Sequence, residues 1–451
     1  MVKFRRKAWI SVCLGALAGS VSSATLTSAG AEQGANKDGS IPAWQGAAVP
    51  EAGWSYGKNR GDYSKHRGEK PLAVIDASNV DKYADKLTPG QVQLLKTVKG
   101  YTMPVYTTHR SCGFPDFVIA NTKAGAGKAK IGADGWSLED AVLPSIPFPE
   151  PKSGIEAMWN FLARYQGAGI DIPEGTSFVS AAPGSSKPIV VSWNEVFYFP
   201  WGKKGAFSPK DAGGFEYGLY YAYTQPAALA GQALTQRYNF ASDTESFYYF
   251  PGQRRVRRLP SYGYDAPLIG FENQYPADMF QIFSGAPDRF DWKIVGKKEV
   301  YVPYNNFEAY NFRNKVKDVF GPTFVKAEVR RYELHRVWVI EGNVKSGVRH
   351  MAPKKTVYLD EDTWQAVVGD DFDAQGKIWK SKEIPIVPIW ELGACQALAT
   401  QVFYDLSSGR YVVDNTPYDT SKDFKFMSEH NDPRMNSNYF TAEKLRAISE
   451  R

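Results

Sequence analysis

The stretch FYYFPGQRRVRRLPSYGYD, at residues 247–265, is typical of a β-hairpin. Aromatic residues fill its first half, and the sequence Pro-Gly-Gln at 251–253 supplies a turn before the arginines. Successive side chains of a strand point to opposite sides, so these arginines occur on both faces. A one-sided phosphate-binding stripe would not alternate in this way. We therefore interpret the arginines as rim residues of a sheet. Arg255 and Arg257 are candidates for contact with the phosphate groups of a ligand, and the alternative is that they are purely structural.

Several other segments have the same strand-like composition. They are rich in aromatic and β-branched residues, often alternate in polarity and are separated by Gly, Pro, Asn and Asp, which predicts antiparallel hairpins. No repeat of 20 to 50 residues recurs, which argues against a propeller or a solenoid. The predicted strand segments are 188–199, 216–224, 290–304, 331–344 and 350–373.

A few helices are predicted between and beside these strands. Thr88 can cap a helix that begins at Pro89, and Ser153 can cap the sequence GIEAMWNFLARYQ. The segment 277–285 is the best candidate for a helix that interrupts the strands, and a short terminal helix is expected to begin at Thr441. The pattern predicts a mainly β fold with helices.

The N-terminal sequence MVKFRRKAWISVCLGALAGSVSSA, at residues 1–24, is typical of a secretory signal peptide. A membrane anchor is the competing interpretation, but the apolar run is shorter than the roughly 20 residues that span a bilayer. The net charge of the chain is +6, and removal of the four basic residues of this leader leaves +2. We therefore expect a periplasmic protein that does not bind nucleic acid, and association with the outer membrane stays an open question.

The sequence carries no recognisable catalytic or metal-binding motif, so we predict no enzyme, no cofactor and no metal site. Two cysteines follow the leader, and whether they form a disulfide or stay free is left open by the sequence. A periplasmic hydrolase that uses His109 and Arg110 is a minor alternative. The cysteines are Cys112 and Cys395, and the five scattered histidines are His66, His109, His335, His350 and His430.

Aromatic residues make up 14% of the chain and concentrate on the predicted strands. Their faces must be buried, either against the helices or around a cavity for a lipid-like ligand. The candidates for lining such a cavity are Trp193, Phe197, Phe199, Tyr220, Phe247, Tyr249, Trp292, Tyr332 and Trp338.

Several blocks of this sequence resemble the proteobacterial family of domain of unknown function 1329. These are the hairpin at 247–265, TMPVYTTHRS at 102–111 and IPFPEPKSGIEAMWN at 146–160. The resemblance implies a fold like that of the Lol lipoprotein carrier and receptor, in which a strongly curved antiparallel sheet forms an incomplete barrel that helices plug. The change of composition along the chain divides it into a leader at 1–24, an extended arm and cap at 25–150, a curved β domain at 151–413 and a polar tail at 414–451.

The function that this resemblance implies is a carrier of a hydrophobic ligand between the inner and outer membranes. The ligand would be a lipid, a lipoprotein acyl chain or a sterol-like molecule, and an exporter of the resistance-nodulation-division type is an expected partner. A non-catalytic interaction module of an outer-membrane barrel or exporter complex is the alternative.

Overall fold

The computed structural model describes residues 25–450. The predicted signal peptide at 1–24 lies outside the described residues. Within 25–450, no helix is both long enough and apolar enough to cross a membrane.

Strands dominate the described chain, and helices are short. The α-helices are α1 (Pro89–Thr97), α2 (Asp116–Gly125), α3 (Gly154–Leu162), α4 (Val316–Val319) and α5 (Ala442–Ser449). The strands are β1 (Ala73–Ile75), β2 (Met103–Val105), β3 (Lys130–Ile131), β4 (Leu138–Glu139), β5 (Gly169–Val179), β6 (Ile189–Tyr198), β7 (Phe215–Gln225), β8 (Ala233–Asn239), β9 (Glu245–Phe250), β10 (Arg255–Arg258), β11 (Phe290–Pro303), β12 (Tyr332–Val344), β13 (Lys354–Asp360), β14 (Ala366–Phe372), β15 (Ile378–Glu383), β16 (Val387–Ile389), β17 (Ala394–Gln396), β18 (Gln401–Asp405), β19 (Arg410–Thr416) and β20 (Lys425–Met427).

One large sheet holds most of these strands. Its main path runs β11, β12, β13, β14, β15, β18, β19, β5, β6, β7, β8, β9, β10, with antiparallel pairing at each step. The parallel contact of β2 with β12 makes the sheet mixed. The predicted strand segments at 188–199, 216–224, 290–304, 331–344 and 350–373 are confirmed, the last of them as the hairpin of β13 and β14.

The sheet is rolled around its own interior. If it were flat, β6 and β11 would lie about 38 Å apart, because eight strand spacings separate them. Phe280 nevertheless packs on Phe197 of β6 with 5.9 Å between ring centroids, and Phe283 packs on Trp292 of β11 at 5.1 Å. Three residues of chain reach at most about 11 Å. The strands β10 and β11 end the path unpaired with each other, so the predicted incomplete barrel is confirmed.

Both faces of the sheet are covered. On β19, Val412 faces the rolled interior, whereas Tyr411 and Val413 face outwards beneath α1 and the region of α4. On β6, Phe197 faces inwards and Tyr198 faces outwards beneath the C-terminal tail and α5. The alternation of each strand therefore separates one large interior core from two smaller outer cores.

The helix starts follow the sequence signals. The Thr88 side chain accepts a hydrogen bond from the Gln91 backbone N–H and Gln91 reciprocates, so α1 begins in a capping box. The hydroxyl of Ser153 likewise accepts from Glu156 at the start of α3. The predicted helix at 277–285 is wrong, because only a three-residue 3-10 turn forms at Ala277–Met279.

The N-terminal arm is fastened to the rolled sheet by Arg110. Its Nε and Nη2 atoms bind the Asp362 carboxylate at 2.9 and 2.6 Å, and Nη2 also donates to the carbonyl of Glu32 at 2.7 Å. A disulfide joins Cys112 to Cys395, with 5.5 Å between their Cα atoms. Arg110 is thus bound to structural partners, and the minor hydrolase alternative stays a prediction. The division of the chain at residues 150 and 413 stays a prediction, although β19 crosses its second boundary.

Replacement of both Cys112 and Cys395 by serine is expected to lower the free energy of unfolding by about 2 to 5 kcal/mol. The bridge closes 283 residues of sequence, so it removes much conformational freedom from the unfolded chain. Urea unfolding with and without dithiothreitol measures the effect. The double variant is the control for the reductant, because dithiothreitol should no longer change its unfolding midpoint. An unchanged midpoint in the oxidised wild type and the variant would contradict the expectation.

Asp370 on β14 predicts a pH dependence of stability. Its Oδ2 atom accepts a hydrogen bond from the Gly90 backbone N–H of α1 at 3.1 Å, and burial raises the pKa of Asp370 to about 6. A carboxyl group with a raised pKa in the folded state binds its proton more tightly there, so stability falls as pH rises from about 4 through 6. Asp370→Asn should remove about 3 kcal/mol of this fall. Urea unfolding at several pH values measures the free energy of unfolding. Parallel plots of that free energy against pH for the variant and the wild type would refute the prediction.

Candidate functional site

The rolled sheet encloses the chain segment that joins its two edge strands. We call residues 260–288, which connect β10 to β11, the inner segment. All of the backbone-to-backbone hydrogen bonds that residues 260–288 make stay within the segment or reach residue 259. The chain on either side of the segment is held by backbone hydrogen bonds. The N–H of Leu259 donates to the carbonyl of Ser246, and the N–H of Lys345 donates to the carbonyl of Arg289. The inner segment is thus attached to the surrounding sheet by side chains and not by a strand ladder.

Aromatic packing supplies most of this attachment. Tyr275 lies 5.0 Å from Phe403 of β18, measured between ring centroids, and Phe280 stacks on Phe197 at 5.9 Å. Both side chains of the inner segment are buried, as are Phe271, Ile282 and Phe283. The segment therefore occupies part of the apolar volume that the rolled sheet encloses, and it shares that volume with α3 and with the hairpin of β16 and β17.

Two buried lysines of β15 hold the backbone of the inner segment. Lys382 donates to the carbonyl of Ile282 at 2.9 Å and to the Asp371 carboxylate at 2.7 Å. Lys380 donates to the carbonyl of Gln274 at 3.1 Å and to Asp405 at 3.2 Å. From sequence, a Lys-x-Lys pair on a strand is typical of a solvated face, so this interior role was missed.

An ion-pair cluster completes the attachment around Asp278 of the inner segment. Its carboxylate lies 2.8 Å from Nε2 of His350 and 3.4 Å from Nζ of Lys355, which also faces Asp371 at 3.5 Å. Burial alone would raise the pKa of Asp278, but Lys355 and His350 outweigh it and lower that pKa below its usual value. Asp278 is thus held charged and paired.

A small cavity remains between the inner segment and the sheet. Its volume is about 50 Å³, and its walls include Leu219, Leu234, Leu268, Phe271 and Phe280. For comparison, an engineered protein cavity that binds a single benzene molecule has a volume of about 150 Å³. This cavity cannot hold an acyl chain, so a large ligand could enter the interior at this point only if the inner segment moved.

Two carboxyl groups line the same cavity. Burial raises the pKa of Glu195 well above its usual value, and the nearby charge of Asp414 raises it further. Burial also raises the pKa of Asp414, which accepts a hydrogen bond from the Ser177 hydroxyl. Both shifts favour the uncharged acid, so the cavity wall offers few fixed charges to an apolar occupant.

The structure brings together only some of the aromatic residues that the sequence proposed for a cavity. Trp193, Phe197 and Phe199 lie in the interior core, and Trp292 and Trp338 are half-buried at its border. The remaining four lie in the outer cores. Tyr332 is packed beneath the region of α1, and beneath the C-terminal tail lie Tyr220, Phe247 and Tyr249.

The two rim arginines lie on the edge strand β10. Arg255 pairs across the hairpin with Phe250, and Arg257 pairs with Tyr248, so both share the interior-facing side of the strand. Both are exposed, and Arg257 donates to the Gln253 side chain at 2.6 Å. They therefore stand beside the point where the inner segment leaves the sheet. A role in contacting head groups stays a prediction.

Two of the five histidines meet in space. The imidazole rings of His66 and His109 stack with their centroids 3.4 Å apart, and both face the Glu69 carboxylate. Sequence reasoning missed this cluster because 43 residues separate the two histidines and neither lies in a short metal-binding spacing.

The fold and site define a class: one large rolled sheet, mostly antiparallel, whose apolar interior is filled in part by the segment that connects its two edge strands. The chain belongs to the DUF1329 family, described as protein of unknown function, whose family model matches residues 74–446. A relative from Pseudomonas aeruginosa, the uncharacterized protein PA3922, is 36% identical over 396 residues, which cover 86% of this chain and 85% of the relative.

Solved structures with similar folds are more distant in sequence. A Vibrio parahaemolyticus domain described as a candidate outer-membrane lipoprotein-sorting protein is 15% identical, with 65% of this chain and 98% of that chain covered and a TM-score of 0.44. A DUF1329 family protein from Desulfovibrio piger is 12% identical, with coverage of 61% and 92% and a TM-score of 0.41. The LolA superfamily protein NE2245 from Nitrosomonas europaea is 12% identical, with coverage of 64% and 100% and a TM-score of 0.37.

Lys382→Met is expected to lower the free energy of unfolding by about 3 kcal/mol, because the buried Asp371 carboxylate then loses the closer of its two lysine partners. Lys382→Met combined with Asp371→Leu should recover part of the loss, since both charges are then removed. Lys377→Met, at an exposed lysine of the neighbouring turn, is the matched control. Urea unfolding decides, and equal midpoints for Lys382→Met and the control would contradict the assigned anchoring.

Proposed function

We propose that this protein is a periplasmic carrier that binds a hydrophobic molecule in the interior of its rolled sheet. The ligand class is a lipid, a lipoprotein acyl chain or a sterol-like molecule, taken up at one membrane and delivered to another. One observation carries the proposal. An apolar inner segment fills the interior without backbone hydrogen bonds to the strands around it, so a ligand can replace it while the sheet stays intact.

The energetics of such an exchange are balanced. Each methylene group that leaves water contributes about 0.8 kcal/mol, before the costs of ordering the ligand. When the inner segment moves out, its aromatic side chains lose contacts that are comparable to those the ligand gains. The buried Lys382 and Lys380 of β15 also lose their hydrogen bonds to two carbonyls of the segment. A carrier must both bind and release, and an internal competitor of similar apolarity keeps the net affinity moderate. The proposal assigns no catalytic residue to the interior.

The position of the rim arginines supports a mouth at the open edge of the sheet. Arg255 and Arg257 lie on β10, directly before the inner segment begins. Exposed guanidinium groups there suit the anionic head group of a lipid whose chains enter the interior. An outer-membrane barrel or an exporter would then receive the ligand at the same edge.

A disulfide that locks the inner segment tests the proposal. A Cβ atom at position 369 would overlap Cγ2 of Ile282, with 2.6 Å between them, so the two positions are in direct side-chain contact. Replacement of Ile282 by cysteine removes one of its branches, and the two cysteines then face each other for a bridge. The double variant Gly369→Cys and Ile282→Cys, once oxidised, should take up a fluorescent fatty acid at least tenfold more weakly. Gly369→Ser with Ile282→Ser is the matched control, since it has similar volume and cannot crosslink.

The uptake experiment is paired with an extraction. Wild-type protein purified from the periplasm should release a co-purified lipid into organic solvent, detected by mass spectrometry, and the locked variant should release much less. Clean extracts together with equal uptake by the locked and serine variants would refute the carrier. If the locked variant bound no lipid, but cells that carry it showed no defect relative to cells with the wild type, the interaction module would be favoured instead.

A further inference from the structure

The histidine cluster lies in a surface cleft away from the rolled interior. His66 and Glu69 belong to the N-terminal arm, and His109 belongs to the loop that follows β2. The cleft has a volume of about 200 Å³, and His66, Glu69, Asn305 and Arg331 line it, with His109 directly behind His66. All three cluster side chains are partly exposed, with between 22% and 31% of each accessible to solvent. The cluster is therefore reachable by a solute ion.

Both imidazole groups converge on one carboxylate oxygen. Nδ1 of His66 lies 3.4 Å from Oε1 of Glu69, and Nε2 of His109 lies 2.8 Å from the same atom. In a tetrahedral zinc site with bonds of about 2.0 to 2.1 Å, two ligand atoms are about 3.3 Å apart. The first separation matches this spacing, and the second requires an opening of about half an ångström. The two rings also stack with only 10° between their planes, so their nitrogen lone pairs meet at one ion only after one ring turns out of the stack. His66, whose side chain is the more exposed of the two at 31%, is the ring that we expect to turn. A metal ion would replace the hydrogen bond that now joins His109 to Glu69.

The remaining oxygen of Glu69 is fixed from behind. Oε2 accepts a hydrogen bond from Nη2 of Arg331 at 2.7 Å, and Arg331 also binds Glu333 through Nε at 2.7 Å. Glu333 in turn accepts from the His109 backbone N–H at 2.8 Å. These contacts orient the carboxylate and the loop of His109, as outer-shell partners do at metal sites. Two carboxylates and one guanidinium leave the surroundings net negative, which favours a cation.

We propose that His66, Glu69 and His109 bind a divalent transition metal ion of the zinc type, with a fourth position open to the cleft. Two imidazoles and one carboxylate suit zinc and its neighbours better than magnesium or calcium, which prefer oxygen ligands alone. The bound ion joins the arm at residues 64–69 to the loop after β2. It therefore stabilises the folded arm in addition to any chemistry at the open position.

A second group of possible ligands is less suited to bind an ion. His335, Asp360 and Asp362 are buried together, but Asp362 is fully engaged by the guanidinium of Arg110. The His335 side chain is only 1% exposed, so this group is closed to an ion from solvent. The partly exposed cluster at residues 66, 69 and 109 is the better metal site.

Titration of the full mature protein, purified without a histidine tag and treated with chelator, tests the site. Calorimetry with Zn²⁺, and visible absorption with Co²⁺, should show one bound equivalent in the wild type. His66→Ala, His109→Ala and Glu69→Gln should each weaken binding at least tenfold. His430→Ala is the matched control, because His430 lies outside the cluster and binds the carbonyl of Phe199.

Thermal melting provides the second readout. Zn²⁺ should raise the melting temperature of the wild type and of His430→Ala, and should leave the His66→Ala protein unshifted. Circular dichroism establishes that each variant is folded before titration. Failure of the wild-type protein to bind Zn²⁺ or Co²⁺ at micromolar concentration would overturn the proposal, as would undiminished binding by folded His66→Ala and His109→Ala variants.

Discussion

Packing of the inner segment against the interior face of the rolled sheet is the contact on which the rest of the structure depends. The sheet leaves its edge strands unpaired, so what it encloses determines how tightly it rolls, whereas the hydrogen-bonded ladders hold its strands together. Phe280 and Phe283 touch strands that lie eight positions apart in the sheet order. Removal of this segment would expose a large aromatic surface to water, so the carrier that we propose must put another apolar molecule in its place.

The buried charges give this packing a defined position. Apolar contacts alone are non-directional, whereas Lys382, Lys380 and Asp278 each fix one point of the inner segment to β13, β15 or their surroundings. Buried ion pairs add little net stability, because desolvation offsets the attraction. Their contribution here is to select one arrangement of a segment that has no strand ladder. An interior that is held this way can be both ordered and exchangeable.

The sequence predicted the strands well because their period of two is a local property. It did not predict which face of a strand turns inwards, because both faces of this sheet are covered by apolar side chains, and so Tyr220 and Tyr249 were placed with Trp193. The segment 277–285 has a helical composition, yet contacts within the interior impose positive φ angles at Gln281 and Ile282. The meeting of His66 with His109 depends on the path of the arm, which no local pattern encodes.

Hydrogen exchange of the native protein, followed residue by residue, tests the central claim most directly. Backbone amides of residues 260–288 should exchange through an opening that requires much less free energy than exchange in β5, β6, β18 and β19, because the segment can detach without unfolding the sheet. An added hydrophobic ligand should accelerate exchange in the inner segment while the strands stay protected. Exchange of the inner segment only by global unfolding, with the same free energy as the central strands, would contradict the account.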